Sequence, residues 1–291
     1  MAQVIVNGLL IGGVYSMVAV GLTVIFGVMK IINFAQGEFL MLGMYLTFFL
    51  YPLFGLETNP YPLIIPVALG MFAIGTVIFK TTISKVVGKG DSNYIVLTLG
   101  LSYLIQNLVQ FVFGAEFHAL SISNSLKFGT VSVAGLILPL PRIIAFGAAA
   151  IAVVLMTYFL NKTDMGRAMR STSEDRTIAA LLGVNTDVIY TLAFGMGTVF
   201  AGLSGLLLTP MFNIQPRAGV LFSTIGMTVV VLGGLGNIKG AMIGGLIIGL
   251  VESFASVYIN LEMAPVAIDL TLLLVLMLRP YGLFGGGVRK A

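Results

Sequence analysis

The residues able to do covalent chemistry are few and badly placed for it. Gly202-Leu-Ser-Gly205 has the G-x-S-G spacing of an intramembrane serine protease. A serine nucleophile needs a positioned base. The one histidine, His118, lies far upstream in a loop expected to face solvent. Ser204 is therefore read as a small packing residue. There is no cysteine, so thiolate chemistry, disulfides and cysteine metal sites are excluded, and one histidine makes no His-pair metal site. No metal site is expected. The phosphate-binding pattern G-x-x-x-x-G-K-[ST] does not occur; Val87-Gly-Lys-Gly-Asp91 is a basic turn. If ATP drives this protein, another chain hydrolyses it.

The remaining polar candidates sit in apolar surroundings. Asn33, Gln36 and Glu38 fall where a second apolar stretch begins. A polar group in hydrocarbon must find a hydrogen-bond partner. They form either a satisfied interfacial turn or a broken, re-entrant segment beside a translocation path. Glu252 lies inside an apolar stretch, past its middle, where a carboxylate costs roughly 2.5–3.5 kcal/mol. It is either a path residue or a helix–helix hydrogen-bonding group. Asp269 is expected near the outer face, in water.

These residues must be held by membrane helices. The chain has 291 residues, 58% hydrophobic and only 9% charged, with mean hydropathy +1.07. A soluble domain carries about 25% charged residues. Fifteen basic and 11 acidic residues are too few for a nucleic-acid surface. Seven charge-free stretches are long enough to span a bilayer: 4–29, 39–56, 58–79, 92–115, 143–161, 188–216 and 218–238. Two more, 240–259 and 264–278, carry Glu252 and Asp269. The fold class is all-α: one polytopic transmembrane domain over 1–291, with about nine segments (eight to ten). The piece 128–141 is apolar but short, and its Gly and Pro favour a re-entrant or surface element. Nine spans with the N-terminus outside put 12 basic residues in the cytoplasm. Lys127, Arg142 and Arg217 fall outside. That split obeys the positive-inside rule and leaves the C-terminus cytoplasmic.

One polar cytoplasmic segment, 161–187, holds eight charged residues. Ser171 and Glu174 have capping-box spacing, as do Thr172 and Asp175. Ile178, Leu181 and Leu182 make an apolar stripe, and Gly183 fits a helix stop. The expectation is a helix of about ten residues with one apolar face. It either packs under the membrane domain or docks into a cytoplasmic subunit. Further on, Gly236, Gly240 and Gly244 repeat every four residues, as do Gly245 and Gly249. Such rows let membrane helices approach closely. The link Gly236-Asn237-Ile-Lys-Gly240 is expected on the cytoplasmic side, as a packed hairpin or a sliding contact in gating.

Three blocks resemble the LivH-type permease subunits of bacterial branched-chain amino acid ABC importers. They are Ile32-Asn-Phe-Ala-Gln-Gly-Glu-Phe39, Glu174…Ala179-Ala180…Gly183, and Val231-Leu-Gly-Gly-Leu-Gly-Asn-Ile-Lys-Gly-Ala241. The family more often has histidine where this chain has Gln36, which weakens a proton-relay role there. The second block is similar to the loop by which importer permeases dock onto their ATPase, although Glu174 and Ala179-Ala180 are not contiguous. The resemblance implies an inner-membrane protein that is no enzyme and holds no cofactor itself. It implies a second related permease, as a heterodimer, and two ATP-binding subunits carrying ATP and Mg. An extracytoplasmic substrate-binding protein completes the set. On that basis Ser171, Glu174, Asp175, Arg176, Ile178, Ala179, Ala180, Leu182 and Gly183 are coupling candidates. Asn33, Gln36, Glu38, Gly236, Asn237, Gly240 and Glu252 are candidates for the path or gate. The implied cargo is leucine, isoleucine and valine. Related permeases carry urea or other amino acids, and a self-contained secondary transporter is the competing class.

Overall fold

The computed structural model describes residues 1–56, 59–120, 129–133 and 135–285. Among the described residues, nine long helices occupy the nine expected positions. They are α1 (Ala2–Met29), α2 (Gln36–Leu53), α3 (Ile64–Thr81), α4 (Asp91–Phe113) and α5 (Leu140–Lys162). After two short helices, α6 (Asp164–Glu174) and α7 (Arg176–Leu181), come α8 (Thr186–Leu208), α9 (Ala218–Gly233), α10 (Ile238–Tyr258) and α11 (Ala264–Leu278). Seven of the nine, counting short 3-10 extensions of α3 and α11, are long and apolar enough to cross a membrane; α2 and α9 are the other two. Within 128–141, expected to be a re-entrant or surface element, the described residues form a two-stranded antiparallel hairpin. Its strands are β1 (Thr130–Val133) and β2 (Leu136–Pro139), paired Thr130 to Pro139 and Val133 to Leu136.

Helix α1 is the centre of the bundle. It has no polar stripe, and nearly every residue from Gly8 to Val24 is buried. An all-round apolar helix belongs inside. It packs on α10, α8, α5 and α9. Lipid tails are as apolar as leucine, so close packing rather than water exclusion must hold such helices together. The α1–α10 contact achieves this with glycine: a Cβ on Gly12 would lie 2.8 Å from the Gly245 carbonyl, and one on Gly249 would lie 2.4 Å from that of Gly8. Ser16 donates across this seam to the Met242 carbonyl at 2.8 Å. The expected Gly245/Gly249 row is thus a packing surface, and Gly233 meets Gly240 in the same way across α9 and α10.

Helix ends sort the charges. Lys30, Lys80, Lys162, Lys239 and Arg279 all lie where α1, α3, α5, α10 and α11 meet one side of the bundle, here termed the basic face. Lys127, Arg289 and Lys290 lie outside the described residues. Two stretches are not what the apolar runs suggest. The run 188–216 is helical only to Leu208, and 218–238 only to Gly233. Residues 209–217 fold back between them. Ile214 exchanges backbone hydrogen bonds with His118, N–H to carbonyl in both directions at 2.8 and 2.9 Å. His118 is consequently no solvent-facing loop residue. It is half-buried, with its ring 5.1 Å from Phe48 and 6.2 Å from Tyr45.

Candidate functional site

The first polar cluster is built by a chain reversal after α1. Lys30 closes α1 in the left-handed region (φ 57°), its N–H bonded to the Phe26 carbonyl. The chain then turns inward. The Asn33 side-chain oxygen accepts from the Ala35 N–H at 3.1 Å, and its amide reaches Gln36. Gln36 Nε2 donates to the Gly197 carbonyl at 3.1 Å. Gly197 is midway along α8, about 16 Å from either end at 1.5 Å per residue. So α2 begins deep in the bundle, and Asn33, Gln36 and Glu38 are all buried there. The interfacial-turn alternative does not fit this placement.

Helix α9 begins at the same place. The Gly37 N–H donates to Ser223 Oγ at 2.9 Å, and Ser223 Oγ donates to the Phe34 carbonyl at 3.2 Å. The approach requires glycine on both sides. A Cβ on Gly37 would lie 1.9 Å from the Gly219 carbonyl, and one on Gly219 would lie 2.4 Å from Glu38 Oε2. Glu38 Oε1 accepts from Ser102 Oγ at 3.3 Å, while Oε2 has no hydrogen-bond partner. The N-terminal ends of α2 and α9 therefore converge on one buried carboxylate. Each end carries roughly half a positive charge, which offsets the burial of an anion. Arg217 is the N-cap residue of α9, next to this junction and at the end of α9 opposite the basic face.

At the basic face the turn between α9 and α10 carries the second cluster. Gly234 and Gly236 have φ of 104° and 81°, so Gly236 shapes a turn and does not extend the glycine row. Asn237 caps α10, accepting from the Gly240 N–H at 3.0 Å, and its amide donates to the Phe284 carbonyl. This turn faces a cleft of ≈540 Å³ whose other walls include Thr23, Gly27, Asn161 and Arg170.

The polar segment after α5 is two helices. Thr163 caps α6 by accepting from the Gly166 N–H, well upstream of the expected start. Ser171 and Thr172 are then inside the helix, where their hydroxyls bond back to the Ala168 carbonyl. Neither capping box forms. Glu174 ends α6, and Asp175 in extended conformation caps α7, its Oδ1 accepting from the N–H groups of Thr177 and Ile178 at 2.7 and 2.9 Å. Arg176 stacks over the Tyr190 ring at 5.2 Å and reaches Asp187 at 3.5 Å. Ala179 is buried and Ala180 exposed. Gly183 (φ 87°) stops the helix as its position suggested. Ile178, Leu181 and Leu182 are 56%, 82% and 77% exposed. Their apolar stripe is not covered by the chain's own helices.

The structure thus brings together Asn33, Gln36 and Glu38 in one place, and Gly236, Asn237 and Gly240 in another. Glu252 stands apart from both, beside Tyr15 and Arg142, with one carboxylate oxygen lacking a hydrogen-bond partner. Asp269 is exposed on α11. Ser204 is buried and donates to the Phe200 carbonyl, while Gly202 and Gly205 pack on α2. Sequence reasoning missed Ser102, Ser223 and Gly219. The usable signal was Ser102-x₃-Gln106-x₃-Gln110, polar residues at helical spacing in a run otherwise fit for lipid.

Residues 4–279 match the family described as branched-chain amino acid transport system / permease component. The high-affinity branched-chain amino acid transport system permease protein BraD of Pseudomonas aeruginosa is 32% identical, over 97% of this chain and 95% of its own. The LivH permease protein of the Escherichia coli K12 high-affinity branched-chain amino acid system is 31% identical over the same shares. A probable LivH of Methanocaldococcus jannaschii is 28% identical, over 94% and 89%. Among solved structures, a chain of PsaBC from Streptococcus pneumoniae in complex with Fab aligns with TM-score 0.50 at 14% identity, over 92% of this chain and 89% of that one, a likeness of fold alone. With its apolar helices, its buried junction and a family match along nearly its whole length, the chain is an integral membrane protein and belongs to the branched-chain amino acid transport system permease family.

Proposed function

We propose that this chain forms part of the translocation path of an ATP-driven importer for leucine, isoleucine and valine. Its partners in this reading are a second, related permease, two cytoplasmic ATP-binding subunits and an extracytoplasmic substrate-binding protein. ATP and Mg are held by the ATPase subunits, and the chain itself does no covalent chemistry. The basic face is cytoplasmic, as the positive-inside rule requires, which puts the N-terminus outside. The cargo follows from the names of the relatives.

The observation that carries the coupling role is the apolar stripe of α7. Ile178, Leu181 and Leu182 are open on a six-residue helix at the basic face. So short a helix is marginal alone in water, and its stripe fits a groove on a partner. Arg170 and Ser173, late in α6, line the same cleft as the Gly236–Asn237 turn and the end of α1. Movement of α6–α7 on a closing ATPase pair is thereby transmitted to α1 and the α9–α10 turn. The bias comes from different contacts of α7 with the two ATPase states.

The test is purification in mild detergent with every co-purifying protein identified by mass, followed by uptake in proteoliposomes. Two ATPases and a second permease in fixed ratio, with uptake that needs ATP, support the reading. Recovery of the chain alone, with uptake surviving ATP depletion but not loss of an ion gradient, overturns it in favour of a self-contained transporter.

A further inference from the structure

One side of α4 is polar where a membrane helix has no reason to be. Ser102, Gln106 and Gln110 recur every fourth residue and so share a side, with Asn107 next to them. Leu104, Leu108 and Phe111 take another side and are well exposed. Gln106 is half-buried and Gln110 exposed, and neither side-chain amide has a hydrogen-bond partner among the described residues. An unpaired amide in hydrocarbon costs several kcal/mol, so this side cannot face lipid.

Its depth is fixed by Glu38. Ser102 donates to Glu38 at the buried start of α2, and Phe113 ends α4 about 16 Å further on. The same carboxylate touches α9 at Gly219. Two residues before Gly219 stands Arg217, exposed and without an ion pair among the described residues. Arg217 opens the 16-residue α9, about 24 Å from its basic-face end, and an unpaired cation within the span of a membrane bundle is read as facing a solute or ion pathway. The stripe and the arginine flank one buried carboxylate.

We propose that this side of α4, together with Arg217, walls a water-filled path from the Glu38 junction to the face opposite the basic one. Arg217 is the counter-ion for the carboxylate of a zwitterionic solute passing along it. This rests on the importer reading for the existence of a crossing solute, but not for the presence of water.

The chain has no cysteine, so single-cysteine variants can be labelled in the assembled complex with cysteine-free partners. Q106C and Q110C should react with a charged, water-soluble methanethiosulfonate at least tenfold faster than L104C and L108C. Equal rates on the two sides overturn the path. So does disulfide formation between Q106C or Q110C and a cysteine introduced into the second permease, without labelling, which makes the stripe a dry seam. For the counter-ion, R217Q should lower ATP-driven uptake about tenfold, with thermal stability and Q106C labelling unchanged, while R217K retains most uptake. Wild-type uptake by R217Q overturns that assignment. Labelling needs no transport, so a complex that fails to take up solute counts against the importer reading, and the labelling contrast still decides the path.

Discussion

The junction of α2 and α9 makes a sharp demand at Gly37. A Cβ there would lie 1.9 Å from the Gly219 carbonyl oxygen and 2.6 Å from the Ser223 nitrogen. Ordinary contact begins at 3.4 Å, so G37A must part the two helix starts by about 1.5 Å. The obstacle is backbone on α9, not the end of a flexible side chain, and cannot swing aside. Overpacking of this kind costs about 1–3 kcal/mol. Separation also breaks the Gly37–Ser223 and Ser223–Phe34 hydrogen bonds, at about 0.5–1.5 kcal/mol each. The total is about 2–6 kcal/mol, against a typical stability of about 5–15. At about 2–4 °C per kcal/mol for larger domains, the melting temperature in detergent falls by at least about 4 °C. G147A in α5 is the matched control, because nothing lies within 4 Å of its Cβ. There alanine gains up to about 1 kcal/mol of helix propensity. Thermal melts of both variants and wild type, followed by size-exclusion profile, give the contrast. A G37A variant that melts within 2 °C of wild type would refute the claim that α2 and α9 start in contact.

Other predictions concern the coupling segment. D175A removes the side-chain cap of α7 and costs about 0.5–2 kcal/mol; hydrogen exchange across 176–182 should quicken about two- to thirtyfold, with the rest of the chain unchanged. L181D with L182S leaves the isolated chain within about 0.5 kcal/mol of wild type, since both residues are exposed. ATPase co-purification should drop at least tenfold, as expected from about 1.5–3 kcal/mol for each buried leucine; full recovery of the ATPases would locate docking elsewhere. E174R should insert normally yet lose uptake, and unchanged uptake would remove Glu174 from the coupling set. Q36L abolishes the bond to Gly197 and should lower the melting temperature by a few degrees, at about 0.5–1.5 kcal/mol.

The number and places of the membrane helices were legible because crossing hydrocarbon is a demand on local composition. Nine apolar stretches became nine helices, and the basic residues at their ends marked one face. The stop at Gly183 was equally local, a left-handed position that glycine tolerates. The glycine rows announced close packing, though not which helix they would meet. What the sequence withheld depends on partners distant along the chain. Asn33, Gln36 and Glu38 fit an interfacial turn or a buried one equally well, and Gly197 and Ser223, more than 150 residues away, decide for burial. The charge-free runs around 209–217 hid a chain reversal because a lack of charge does not separate a buried turn from a helix. Ser171 and Glu174 had the right spacing for a cap, but Thr163 had already started a helix upstream. Asp175, by capping two N–H groups of its own, broke it in two. Composition determines that a segment enters the membrane; only tertiary contacts decide how deep it starts and what its polar groups touch.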